Sequence, residues 1–260
     1  MQLIDIGANL THDSFDHDRD AVMQRARDAG VARMIVTGAS RAHSPMAAEL
    51  ARAHPGELYA TAGVHPHHAT EYTAECDAEM RALQDMPEVV AVGECGLDYF
   101  VEGLDPDTQR FYFQRQLELA REFDLPVVVH ARRAVEEVIG ALRRVPGLRG
   151  VVHSYSGSEE QARQLFALGF CLGIGGPVTY ERARRIRRVV AETPPDFLLL
   201  ETDAPDQPDA ERRGQRNEPA HLVSVLETIA RLRGIEPEEL ATATTANARR
   251  LFRTEALASA

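Results

Sequence analysis

A chain of 260 residues with 44% apolar and 27% charged residues can bury a sizeable core and has the ordinary charge content of a soluble protein. Its formal net charge of −11 argues against a coat or histone-like protein that holds nucleic acid by bulk charge, but not against an enzyme that grips a few phosphates locally. All 29 basic residues are arginine, read here as a coding bias of the source, and three cysteines (Cys76, Cys95, Cys171) without a CxxC spacing fit a reducing compartment with no disulfide framework.

The opening residues carry no basic segment followed by an apolar stretch, and no run of about 18 apolar residues follows. The expected location is therefore the cytoplasm, with no membrane partner. The first β-like run is Leu3–Ile6. A helix candidate over Asp16–Ala29 stops at Gly30, a natural C′ residue. The runs Arg33–Thr37, Leu58–Ala62 and Val89–Val92 come next, then a long periodic helix over Asp105–Phe123 and the runs Pro126–Val129 and Gly150–Val152. Ser158–Leu168 opens on a serine, reaches Gln161 at capping-box spacing and stops at Gly169. Phe170–Gly173 and Phe197–Leu200 complete eight short runs, apolar on both faces as buried parallel strands are. Pro205–Arg216 is polar and reads as a long loop, and helices near Glu218–Leu232 and Pro237–Phe252 close the chain.

Eight βα units in one run point to a single (β/α)₈ TIM barrel, one domain over residues 1–260. An open doubly wound sheet would place a glycine-rich phosphate loop after the first strand, where Gly7-Ala8-Asn9-Leu10-Thr11 stands instead. Barrels carry their chemistry at the C-terminal strand ends. There the sequence offers Asp5 and Asn9, His65 and His67, Glu94 and Asp98, His130, His153, and Glu201 and Asp203, each group from a different strand. One histidine at a strand end is usually a hydrogen-bonded or surface residue. Several converging with carboxylates form a metal site: imidazoles with carboxylates suit Zn²⁺, Mn²⁺ or Fe²⁺, and carboxylates with water suit Mg²⁺. Arg132 and Arg216 are candidates for bidentate phosphate clamps or for structural ion pairs. Asn217 and Glu218 either order their loop or cap a helix. Cys95 reads as a buried small residue, and Tyr99 and Phe100 as base-stacking or core aromatics.

The stretches Gly63-Val64-His65-Pro66-His67, Gly93-Glu94-Cys95-Gly96-Leu97-Asp98-Tyr99, His130-Ala131-Arg132, His153-Ser154-Tyr155-Ser156-Gly157, Glu201-Thr202-Asp203-Ala204-Pro205 and Arg216-Asn217-Glu218-Pro219 resemble the TatD deoxyribonuclease family of amidohydrolase-like barrels, from Asp5 to about Phe252. The resemblance implies that Glu94, His130, His153 and Asp203 bind metal, with Glu94 bridging where two ions are present. It implies that Asp203 positions or deprotonates the attacking water and that His65 touches substrate phosphate or water. It implies a 3′→5′ exonuclease on single-stranded DNA or frayed ends, with RNA as a second substrate.

Two departures stand out. Many relatives carry Asp-x-His-x-His on strand one, but here Gly7 and Asn9 occupy both histidine positions. That favours one or two ions held with more water, closer to Mg²⁺ or Mn²⁺ than to tight Zn²⁺. Arg133 stands where relatives often place an acid, without an evident consequence. The alternative activity is hydrolysis of another ester or amide, a small molecule or an aminoacyl-tRNA, on the same barrel. A non-enzymatic binding protein is disfavoured by the intact Glu94, His130, His153 and Asp203. A monomer is the default assembly.

Overall fold

The computed structural model describes residues 2–254. Strand β1 (Leu3–Ala8) leads through α1 (Arg19–Asp28) to β2 (Val31–Val36), α2 (His43–Ala53), β3 (Leu58–Ala62) and α3 (Ala74–Gln84). Then come β4 (Val89–Asp98), α4 (Pro106–Glu122), β5 (Val127–Arg132), α5 (Val135–Arg144), β6 (Gly150–Val152) and α6 (Glu159–Ala167). The chain closes with β7 (Phe170–Ile174), α7 (Arg184–Glu192), β8 (Leu198–Leu200), α8 (Leu222–Arg233) and α9 (Pro237–Phe252). The sheet runs β1 to β8 in sequence order, each neighbour parallel. Strand one meets strand eight at the C-terminal rim, where Asp203 N–H donates to Gly7 O at 2.8 Å and Asn9 N–H to Ala204 O at 2.7 Å. The result is a (β/α)₈ barrel.

A small core cluster joins Ile4, Ile6, Ile35, Tyr59, Val128 and Leu199, from five different strands, to Leu251 and Phe252 of α9. Contacts among non-neighbouring strands place this cluster inside the barrel, with α9 plugging its N-terminal end. A larger cluster packs the outer helices on the strands. With the floor sealed, the C-terminal strand ends form the open mouth. No helix among the described residues is long and apolar enough to cross a membrane.

Most expected boundaries agree with this structure to within a few residues, and β3, β6 and α9 coincide with it. Three differences matter. The first helix begins at Arg19 because Asp13–Phe15 forms a separate 3₁₀ turn. The last-but-one helix begins at Leu222, after a 3₁₀ turn over Pro219–His221. Strand β4 continues to Asp98, six residues past its apolar run, and all ten of its residues are buried. The six residues past that run contain two acids and two glycines, so they read as loop in the sequence, yet Cys95, Gly96, Leu97 and Asp98 pair in register with Val129 to Arg132. Helices α2, α3, α5 and α7 add to the five read from the sequence. The capping box at Ser158 and Gln161 is present.

Gly96 makes the extension of β4 feasible. Its φ is +148°, and a Cβ there would lie 2.0 Å from the His130 carbonyl oxygen. Gly96→Ala is expected to destabilise the fold by roughly 3 kcal/mol, through strained backbone and a steric clash together. Denaturant unfolding checks this, and a change within about 0.5 kcal/mol contradicts it.

Candidate metal centre

Glu94 is the meeting point. Strand β4 places its carboxylate at the mouth of the barrel, and its backbone N–H donates to Gly38 O at 2.7 Å. Its Oε1 lies 2.9 Å from His130 Nδ1, 3.6 Å from His65 Nε2 and 3.8 Å from His153 Nε2. His153 Nε2 is in turn 3.5 Å from Asp203 Oδ1. The structure thus brings together Glu94, His130, His153, Asp203 and His65 in one cavity of about 600 Å³.

Two further carboxylates stand behind this group, both with fully buried side chains. Asp98 Oδ2 accepts from His130 Nε2 at 3.1 Å and from His67 Nε2 at 2.8 Å, and Oδ1 accepts from the Phe100 N–H at 2.8 Å. Glu201 Oε2 accepts from His153 Nδ1 at 2.9 Å, and Oε1 from the Ser154 N–H at 2.6 Å. A carboxylate can only accept, so each holds a proton on the outer ring nitrogen, Nε2 of His130 and Nδ1 of His153. Glu94 also only accepts, 2.9 Å from His130 Nδ1, so a cation would find the His130 Nδ1 and His153 Nε2 lone pairs by displacing the inner proton of each ring. This is how buried partners orient metal-binding imidazoles. Asp98 and Glu201 were visible in the sequence as strand-end acids but received no role there. Glu201 carries a signal, since it ends a wholly apolar run, where an acid is buried and must be paired; Asp98, six residues past the apolar part of β4, carries none.

Charge follows the same geometry. Burial alone would push the Asp98 carboxyl up, but hydrogen bonds from His130 and His67 outweigh it and hold it below the usual carboxylate range. Burial likewise opposes charge on His153, and Glu201, Asp203 and Glu94 override it to raise its pKa well above the ordinary value. His130 is raised in the same way against burial, by Asp98 and Glu94. A cation and a proton therefore compete for these nitrogens. His65 is the exception. Burial pushes it down to about 3, and its Nδ1 accepts the His67 N–H at 3.2 Å. It is a neutral ring with its proton on Nε2, facing the cavity.

The donor set fits a divalent cation. One ligand atom each of His65, Glu94 and His130 lie within 4.8 Å of one another, a spacing one ion can span. Glu94, His130, His153 and Asp203 form an overlapping set, with His130 Nδ1 2.9 Å and His153 Nε2 3.8 Å from Glu94 Oε1 and His153 Nε2 3.5 Å from Asp203 Oδ1. Asp203 is itself firmly placed. Its φ is +57°, tolerated by aspartate, and Gln207 Nε2 donates to Oδ2 at 2.5 Å, leaving Oδ1 toward His153. Strand one adds Asn9 to the cavity wall. A Cβ on Gly7 would sit in ordinary contact, 3.6 Å from His153 Nδ1 and 3.7 Å from Glu201 Oε2, so this position of strand one borders that pair.

The remaining sequence candidates separate. Arg132 lines the cavity. Arg216 does not: it donates to Asp18 Oδ1 and Oδ2 at 2.8 and 2.6 Å, to Ser14 O at 2.6 Å and to Glu218 Oε1 at 2.9 Å. Its guanidinium is consumed in tying the loop before α8 to the start of α1, so the ion-pair reading holds and the phosphate clamp is set aside. Asn217 orders the same loop, donating to Thr202 O at 2.8 Å and Asp206 O at 2.9 Å on either side of Asp203. Cys95 is buried in the core and burial pushes its thiol pKa up, which disqualifies it as a nucleophile. Tyr99 packs on the core, whereas Phe100 is exposed.

Comparison with known proteins decides the family. The pattern described as TatD related DNase matches residues 4–253. This chain belongs to the TatD-related DNase family. Among its relatives is a protein of Erwinia tasmaniensis named 3′-5′ ssDNA/RNA exonuclease TatD, 43% identical over 257 residues that cover 96% of this chain and 99% of that one. The uncharacterized metal-dependent hydrolase YabD of Bacillus subtilis is 39% identical, with 96% and 99% covered. The crystal structure of YJJV, a TatD homologue from Escherichia coli, superposes with a TM-score of 0.92 at 36% identity, covering 96% of this chain and 98% of that one.

Three outcomes follow. A glutamine at 201 can turn its amide N–H toward His153 Nδ1 and push the ring proton onto Nε2, so Glu201→Gln is expected to weaken Mn²⁺ binding 10- to 100-fold, roughly, in a folded protein. Titration calorimetry checks this; affinity within about twofold of wild type contradicts it. Wild-type affinity should also fall as pH is lowered, since protons occupy the same nitrogens. Separately, hydrogen bonds from Arg216 hold Asp18 down at about 2. A depressed carboxyl contributes stability that is complete above its unfolded value of about 3.9 and is lost as pH falls through the folded one. Arg216→Ala should unfold more easily at neutral pH and lose less stability than wild type between about pH 4 and 2, as read by urea melts.

Proposed function

We propose that this protein is a metal-dependent 3′→5′ exonuclease that hydrolyses phosphodiester bonds of single-stranded DNA or RNA. The observation that carries the reading is Glu94 Oε1 ringed by three histidine nitrogens within 3.8 Å, two of the rings held from behind by Asp98 and Glu201. The names of the relatives supply the substrate class. Glu94, His130, His153 and Asp203 would hold the cation, with Mg²⁺ or Mn²⁺ favoured over Zn²⁺ because Gly7 and Asn9 offer no imidazole. When bound, a cation supplies positive charge that acidifies water and offsets the charge building on the phosphoryl group.

The chain's own residues divide the rest of the work. Asp203 Oδ1 accepts the proton of the attacking water, while Gln207 keeps the carboxylate from turning. His65, neutral across the physiological range, donates its Nε2–H to a phosphoryl oxygen without adding a proton to the balance. Arg132, at the cavity wall, draws the substrate phosphate in. Water adds across the P–O ester bond, and an alcohol and a phosphate monoester leave. Three buried, unpaired cysteines support a reducing cytoplasm, and we read the chain as one domain acting as a monomer.

The test uses single-stranded DNA labelled at either end, metal-stripped protein, and Mg²⁺, Mn²⁺ or Zn²⁺ added back. Stepwise shortening from the 3′ end is expected, strongest with Mg²⁺ or Mn²⁺, and at least about 100-fold slower in Glu94→Ala and Asp203→Ala. A folded protein that cleaves neither DNA nor RNA with any metal overturns the proposal and turns attention to esters, amides and aminoacyl-tRNA.

A further inference from the structure

The metal cavity opens sideways. Ser156 lines both it and a second cavity of about 550 Å³, whose walls include Arg133, Gln161 and Arg185. Arg132 belongs to the first cavity and Arg133 to the second, and one exposed aromatic lies under both. Phe100 is 44% exposed, with the Arg132 Cζ 3.7 Å and the Arg133 Cζ 4.6 Å from its ring centre. Successive side chains of an extended strand point to opposite faces. Arg133 escapes this by taking φ +54°, so that both guanidiniums reach the same ring.

The facing wall is the start of α7. Arg182, Arg184, Arg185, Arg187 and Arg188 put five arginines into seven residues. Ile186 lines the metal cavity and Arg185 the second one. Arg187 donates to Val178 O at 3.1 Å, and Arg188 lies 3.8 Å from Glu159, so these two have local duties. The carboxylates of the second cavity are also engaged: Glu137 pairs with Arg110, and Glu136 accepts from Gln161 at 3.4 Å. A chain with a net charge of −11 thus gathers Arg132, Arg133 and Arg185 along one edge of its mouth, beside an exposed aromatic. Guanidiniums beside a stacking ring are what a single-stranded polynucleotide recognises, and neither feature serves the barrel core.

We infer that this edge is a polynucleotide track. The strand whose 3′ end lies at Glu94 passes over Phe100, which stacks a base, and enters the second cavity, where Arg133 and Arg185 hold the phosphates on its 5′ side. The inference rests on the nuclease reading and extends it from one reacting bond to the path of the substrate.

The test is fluorescence anisotropy on the full chain with Mg²⁺, using a labelled twelve-nucleotide oligothymidylate with phosphorothioate at every linkage to resist cleavage. Arg133→Gln with Arg185→Gln is expected to weaken binding at least tenfold and to flatten the dependence of log affinity on log salt by about 1.4, two phosphate contacts at about 0.7 each. Phe100→Ala is expected to weaken it roughly five- to a hundredfold. Thermal melts establish that each variant is folded. Arg52→Gln with Arg121→Gln, in the last turns of α2 and α4 at the far end of the barrel, controls for bulk charge. Wild-type affinity and salt slope in the Arg133/Arg185 pair, or an equal loss in the control pair, overturns the track while leaving the nuclease reading in place. Failure of the wild type to bind any oligonucleotide overturns both.

Discussion

A carboxylate taken wholly out of water has to be paired, and the pairing fixes its partner as firmly as itself. In this barrel Asp98 and Glu201 are such carboxylates, and their partners are the rings of His130 and His153. Everything at the mouth follows from those two contacts. Each removes one ring nitrogen from contention and aims the other toward Glu94. Each also spends its second oxygen on a backbone N–H, Phe100 for Asp98 and Ser154 for Glu201, so neither carboxylate can swing away. The site is assembled by burial before any cation arrives. The same burial leaves His65 neutral, because that ring has no such partner behind it.

The backbone had to be shaped to allow this. Strand β4 continues past its apolar half and delivers Glu94 to Nδ1 and Asp98 to Nε2 of His130, an approach that a side chain at Gly96 would block. Closure of the barrel through Asp203 and Gly7 sets the last ligand candidate at the seam between β8 and β1. Asp5 reinforces the seam, accepting from Gly7 N–H at 3.1 Å and Thr202 N–H at 3.0 Å. Burial lifts its pKa to about 7 in spite of those hydrogen bonds. Left-handed backbone at Arg133, Ser154, Asp203 and Gln207 collects around the two cavities, as expected where structure serves chemistry at some cost to itself.

Periodicity was enough to read the barrel from the sequence, because eight buried parallel strands announce themselves as short runs apolar on both faces. The same property hid the second half of β4, where glycines and an acid interrupt the apolar pattern although the pairing continues. Helix α7 escaped notice for the opposite reason. It buries only Val189 and Val190 and shows the sequence little but arginine. The cation-binding candidates were legible because imidazole and carboxylate groups end strands, and topology alone brings such ends together. Their supports were not. Whether an acid ligates a metal or holds the ligand depends on distances of an ångström, and Asp98 and Glu201 look no different in sequence from Glu94 and Asp203. Arg216 misled as a clamp because its partners, Asp18 and Ser14, lie some two hundred positions away in the chain.

With a cation in place of the inner protons, the two buried carboxylates dictate opposite tautomers at His130 and His153. Histidine ¹⁵N NMR of the protein loaded with Zn²⁺, a diamagnetic probe, reads those protons directly. A proton is expected on Nε2 of His130 and on Nδ1 of His153, with the other nitrogen of each shifted as a metal ligand. A proton on Nδ1 of His130, or on Nε2 of His153, would contradict it.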